Sequence, residues 1–87
     1  MNSRISQRDF EQSIFEAIMA QYYNTELPAT VLVAVSPELD VIVMGSYGHT
    51  ALPKGAADWN VEEIDTDNLS DNITETASYY FDPRYFN

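Results

Sequence analysis

Residues 30–46 read TVLVAVSPELDVIVMGS, and this stretch sets the fold class. Two runs, 30–36 (TVLVAVS) and 41–46 (VIVMGS), are rich in β-branched and apolar residues, the composition of buried strands. Between them lies the turn sequence SPELD. Pro37 has its φ preset for the second position of a tight turn. The pair reads as an antiparallel hairpin. Neither run alternates polar with apolar residues, so the expectation is a sheet covered on both faces, or one with a face that serves as an interface.

Outward from the hairpin, the flanks change period. On the N-terminal side Phe10, Ile14, Ala17, Ile18 and Tyr22 recur at spacings of three and four, the signature of an amphipathic helix. Ser6 suits the N-cap, with Asp9 three residues later as a capping-box-like partner, and Ile5 with Phe10 suits a hydrophobic staple. Asn24 and Pro28 bar continuation, which predicts a helix over 7–23. On the C-terminal side, 47–57 (YGHTALPKGAA) reads as a loop punctuated by Gly48, Pro53 and Gly55. Residues 59–64 (WNVEEI) are expected to form a short third strand. Leu69, Ile73, Ala77 and Tyr80 then predict a helix over about 66–80, ended by Asp82-Pro83. Tyr85 and Phe86 of the tail are expected to fold back on the body. The order is α-β-β-(β)-α: an α+β fold, one small domain over 1–87, with a hairpin sheet packed by an N-terminal and a C-terminal helix.

Composition supports a folded core and excludes several chemistries. The chain has 87 residues, 45% of them hydrophobic and 13% aromatic, enough for one small core. Cysteine is absent, which excludes disulfides, thiolate metal sites and a Cys nucleophile. The opening MNSRISQRDFEQ contains no apolar stretch of the signal-peptide kind, and the longest apolar run, VLVAV, is far too short to span a bilayer. A soluble cytoplasmic protein is expected.

Charge is the outlying property. Fourteen Asp and Glu oppose four Lys and Arg, a formal net charge of −10. From residue 58 to 82 there are eight acids and no base: Asp58, Glu62, Glu63, Asp65, Asp67, Asp71, Glu75 and Asp82. Residues 1–24 carry Asp9, Glu11 and Glu16 against Arg4 and Arg8, a balance of only −1. Such a field opposes binding to nucleic acid or anionic membrane and favours a basic partner.

On the expected second helix, Asp67, Asp71 and Glu75 stand at i, i+4 and i+8, roughly 6 Å apart along one line at about 1.5 Å rise per residue. The stripe of Leu69, Ile73 and Ala77 is displaced by about 200°, so the carboxylates face away from the core. Asp65 with Glu62 or Glu63 extends the row beyond the helix start. The spacing is of the order of phosphates along a nucleic-acid strand, which advance about 3.4 Å in axial rise. Part of the acidity has a plainer cause. Asp65 and Asp67 near a helix N-terminus gain about 0.3–1 kcal/mol each from its dipole. Asp71 and Glu75 lie beyond that first turn and repel each other by a few tenths of a kcal/mol, about the size of one i, i+4 pair. The candidate partner-binding set is therefore Asp58, Glu62, Glu63, Asp65, Asp67, Asp71 and Glu75.

Other chemistry finds less support. An EF-hand loop begun at Asp65 needs an oxygen ligand at its fifth position, Gly at its sixth and Glu at its twelfth, where the chain has Leu69, Ser70 and Thr76. His49 is the single His, set in a loop, and a triad with Ser46 has no spacing to recommend it. No phosphate-binding loop motif occurs. The aromatic residues Tyr79, Tyr80, Phe81, Tyr85 and Phe86 lack the basic surroundings of a nucleic-acid stacking platform, and suit core or protein interface instead. No catalytic residue, metal or cofactor is expected.

In size and acidity the chain resembles the small acidic inhibitors, anti-CRISPR and anti-restriction proteins among them, that phages and mobile elements direct against nucleic-acid-binding defence proteins. The resemblance is of general character, without a shared motif, and no residue role carries over from it. It implies a non-enzymatic inhibitor that binds a basic, nucleic-acid-binding groove by charge mimicry in the cytoplasm of an infected bacterial cell. Two alternatives stand beside it: a small acidic structural or adaptor protein acting as a homodimer, and an immunity or antitoxin protein guarding against a basic toxin.

Overall fold

The computed structural model describes residues 5–45 and 58–82. Five elements follow one another: α1 (Gln7–Gln21), β1 (Thr30–Val35), β2 (Val41–Gly45), β3 (Asn60–Asp65) and α2 (Leu69–Phe81). The expected 47–57 loop with His49, the residue Ser46 and the aromatic tail with Tyr85 and Phe86 lie outside the described residues.

The α1 N-terminus forms as its sequence dictates. Ser6 is extended, and its Oγ accepts the Asp9 N–H at 3.1 Å, satisfying one of the donors that a helix start leaves unpaired. Ile5, just ahead of the cap, packs against the same core as Phe10. The helix ends two residues before the expected Tyr23, where the Tyr22 N–H reaches the Ile18 carbonyl at 3.1 Å.

The hairpin is antiparallel, with Val33 opposite Val43 and Val35 opposite Val41. Ser36 holds its turn. Its carbonyl accepts the Leu39 N–H at 2.9 Å, placing Pro37 in the second turn position, and its Oγ accepts the N–H groups of Glu38 and Asp40 at 3.2 and 2.8 Å. Leu39 closes the turn with a left-handed φ of 69°. The register shifts between Leu32 and Val33, a bulge that adds Met44 to β2.

The third strand joins the other side of β1, giving the order β2-β1-β3, all neighbours antiparallel. It runs one residue later than the expected 59–64. Val31 faces Ile64, Val33 faces Glu62 and Val35 faces Asn60 on one face of the sheet, while Leu32 faces Glu63 and Ala34 faces Val61 on the other.

Both helices pack on the first of these faces. Phe10, Ile14 and Ile18 of α1, Ile73, Ala77 and Tyr80 of α2, and Val31, Val33, Val35 and Ile64 form one buried cluster with Leu39. Phe10 is its hub, meeting Tyr80 edge-on with ring centroids 5.4 Å apart and Phe81 at 6.0 Å. The second face carries Leu32, Ala34, Ile42 and Val61, of which Ala34 is fully buried and Val61 is 48% exposed. No described helix is long and apolar enough to cross a membrane.

Candidate functional site

The helix expected over 66–80 starts three residues later, at Leu69. Thr66 continues the sheet instead: its N–H bonds the Ala29 carbonyl at 2.9 Å, and its hydroxyl bonds the Pro28 carbonyl at 2.5 Å. Asn68 then takes a left-handed conformation, φ 65°, and caps α2 without a side-chain hydrogen bond. Asn72 braces the corner from inside the helix, although as a donor it leaves the first-turn N–H groups without a side-chain acceptor. Its side-chain NH2 donates to the carbonyls of Asp65 and Asp67 at 2.8 and 2.9 Å, tying the corner to the first turn.

The consequence for the carboxylate row is a correction. Asp67 lies in the corner ahead of α2, so the i, i+4, i+8 line shortens to Asp71 and Glu75, and Asp71, expected beyond the first turn, falls within it, where the helix dipole favours a carboxylate. Both are exposed, on the side of α2 away from buried Ile73 and Ala77, as the spacing predicts. Glu62 is the second correction. The strand alternation turns it to the helix-covered face, where the Tyr80 hydroxyl donates to its carboxylate. Burial first, and the Glu62 carboxylate second, push the Tyr80 phenol well above its ordinary value of 10.0. Asn60, next on the same face of the strand, acts on the phenol in the opposite sense. Glu62 is thus a half-buried acceptor rather than a member of the solvent row.

Sheet edge and helix together enclose a groove of about 240 Å³. Glu62, Glu63 and Asp65 line it from β3, and Asn72, Glu75 and Tyr79 line it from α2. Tyr79 donates its hydroxyl to Glu75 at 3.1 Å. Of the seven candidate residues, the fold brings Glu62, Glu63, Asp65 and Glu75 together here. Asp58, Asp67 and Asp71 are exposed outside the groove. Sequence reasoning missed Asn60, Asn72 and the pairing of Tyr80 with Glu62. The signal for the last was present: Ile64 must be buried, and period two places Glu62 on its side.

All fourteen carboxylates lie among the described residues, where Arg8 is the one base. Arg8 borders a second groove of about 320 Å³ between the helices, with Glu11, Gln12 and Phe15 of α1 and Ser70 and Ile73 of α2. This one mixes charge with apolar surface, and the Thr74 hydroxyl bridges the helices by donating to Glu11 at 3.2 Å. Among the described residues, no group of His, Asp and Glu side chains is arranged to hold a metal ion. Set against models of known protein families, against curated proteins and against solved structures, the chain matches none.

Proposed function

We propose that this chain is a non-enzymatic acidic inhibitor that occupies the basic, nucleic-acid-binding groove of a partner protein, acting in the cytoplasm as anti-defence proteins of phages do. The observation that carries the proposal is the acidic end of the molecule: Glu63, Asp65 and Glu75 converge on one groove, with Asp67 and Asp71 exposed on the adjoining corner and first helical turn. Along 58–82 no base interrupts them. Neighbouring carboxylates repel one another, so this crowding costs stability in the free protein and is offset when cations face it. A toxin's basic surface would satisfy the same physics.

The test is a charge-neutral variant, Asp67→Asn, Asp71→Asn and Glu75→Gln together, in capture of partners from bacterial cells followed by affinity measurement. All three residues are exposed, so the fold should survive. Partner affinity should fall, by about 2–5 kcal/mol for each pair that is buried and much less for each at the rim. Wild-type affinity should also weaken steeply with salt, since screening acts within about 10 Å at 0.1 M. A folded triple variant with full affinity rejects Asp67, Asp71 and Glu75 as the contact and leaves it to Glu63 and Asp65, whereas affinity indifferent to salt rejects the proposal.

One observation favours the adaptor alternative: Val61 stands 48% exposed beside Leu32 and Ile42 on the sheet face away from the helices. A homodimer through that face predicts sedimentation as a dimer at tens of micromolar, roughly the range of ordinary dimers, and a monomer for Val61→Lys.

A further inference from the structure

The backbone of β3 suggests how a partner engages. Thr66 donates its N–H to Ala29, directly opposite it in the register, so residues 66 and 29 form a hydrogen-bonded pair. Alternation along an antiparallel ladder then directs the N–H and C=O of Ile64, Glu62 and Asn60 toward β1. The same groups of Val61, Glu63 and Asp65 point the other way, off the edge of the sheet. The Asp65 carbonyl agrees with this phase, since it accepts from Asn72 of α2 rather than from β1. Among the described residues no strand pairs with that edge. The N–H groups of Val61, Glu63 and Asp65 and the carbonyls of Val61 and Glu63 are left as a template.

The acidic groove runs along this edge. It is lined from β3 by Glu62 on one face of the strand and by Glu63 and Asp65 on the other, which only the rim between the two faces allows. The pairing of β3 with β1 runs through six consecutive residue pairs without a bulge, and the strand contains no proline. Two common devices for blunting an edge are therefore absent from it, and charge is the one its side chains supply. That guard is selective. A second copy adding antiparallel through β3 would set Glu63 and Asp65 against their own kind, which destabilises a cross-strand pair. An extended segment bearing Lys or Arg at alternate positions meets opposite charge instead.

We infer that β3 is a docking rail for an extended basic segment of the partner, which adds to the sheet as a fourth strand. Backbone pairing supplies the geometry, and Glu63, Asp65 and Glu75 select for cations. The inference rests on the acidic-inhibitor proposal for the sign of the partner's charge and adds the mode of engagement.

The test uses the full chain and a capped peptide of alternating Lys and Val, six residues long, with the same peptide N-methylated at every residue as control. Both carry equal charge, but only the first can pair as a strand. On binding the first, the amides of Val61, Glu63 and Asp65 should gain protection from hydrogen exchange, while those of Glu62 and Ile64, already paired with β1, should change little. The methylated control should bind at least about tenfold more weakly. Val61→Pro keeps every carboxylate and removes one outward N–H, a substitution edge strands tolerate, and it should weaken the unmethylated peptide comparably. Equal binding of both peptides with the edge amides unprotected overturns strand addition and leaves the charge proposal standing. Failure of both peptides to bind at low salt overturns both.

Discussion

β1 and β3 are neighbours of equal length, paired residue for residue, and nearly opposite in chemistry. β1 is TVLVAV, and Val31, Val33 and Val35 are all at most 1% exposed. β3 is NVEEID, and Ile64 is its one buried side chain. Position in the sheet explains the difference. A central strand is flanked on both sides, so every apolar atom it carries can be covered. An edge strand has one neighbour and must remain unattractive to unwanted ones. Stability is concentrated on β1, and β3 is left open to carry charge.

Substitutions at matched sites sharpen this contrast. The largest effect is expected for Val33→Asp, which puts an unpaired carboxylate into the core opposite Glu62. It should cost more than about 4 kcal/mol and abolish the cooperative unfolding transition. If the variant instead unfolds cooperatively near the wild-type midpoint, β1 is not the centre of stability.

An intermediate effect is expected where the two strands' roles meet, at the Tyr80–Glu62 hydrogen bond. Tyr80→Phe should cost about 1.5 kcal/mol, the low end for a bond to a charged acceptor, because half-buried Glu62 can turn to water. The same variant sets a pH signature. The folded state holds the phenolic proton more tightly than the unfolded chain does, so this contribution is complete below pH 10, roughly the unfolded phenol's pKa, and is lost as pH rises beyond it. Urea midpoints measured from neutral to alkaline pH should therefore fall more steeply above pH 10 for wild type than for Tyr80→Phe. Parallel curves would remove the phenol from the account. The smallest effect is expected for Glu63→Gln, within about 0.5 kcal/mol of wild type, although Glu63 pairs with Leu32 of the central strand. A larger loss would mean that the acidic edge helps hold the fold.

The same contrast decides what was legible in the sequence. The amphipathic period of α1, the Ser6 cap and the apolar runs around Pro37 are local signals, and each element appears within two residues of its expected bounds. The corner between β3 and α2 was misplaced because its cause is remote. Thr66 is held by Pro28 and Ala29, far back in the chain, and the left-handed Asn68 carries no side-chain cap to announce it. The acidic cluster was legible as composition. Which carboxylates share a groove was not, because that follows from a one-residue register choice in β3, and one residue exchanges the two faces.

Leu39 gives the hairpin an unexpected place in the order of folding. Its left-handed backbone costs roughly 1–2 kcal/mol, while burying its side chain, 5% exposed in the core cluster, returns about 1.5–3 kcal/mol. That return depends on α1 and α2 being in place to supply the core. A fragment limited to residues 30–45 keeps the penalty and loses the compensation, so the shortest-range contact in the sheet does not nucleate alone. The expected order is therefore that the turn closes as the helices dock, and a peptide of residues 30–45 should show no hairpin of its own by circular dichroism or NMR.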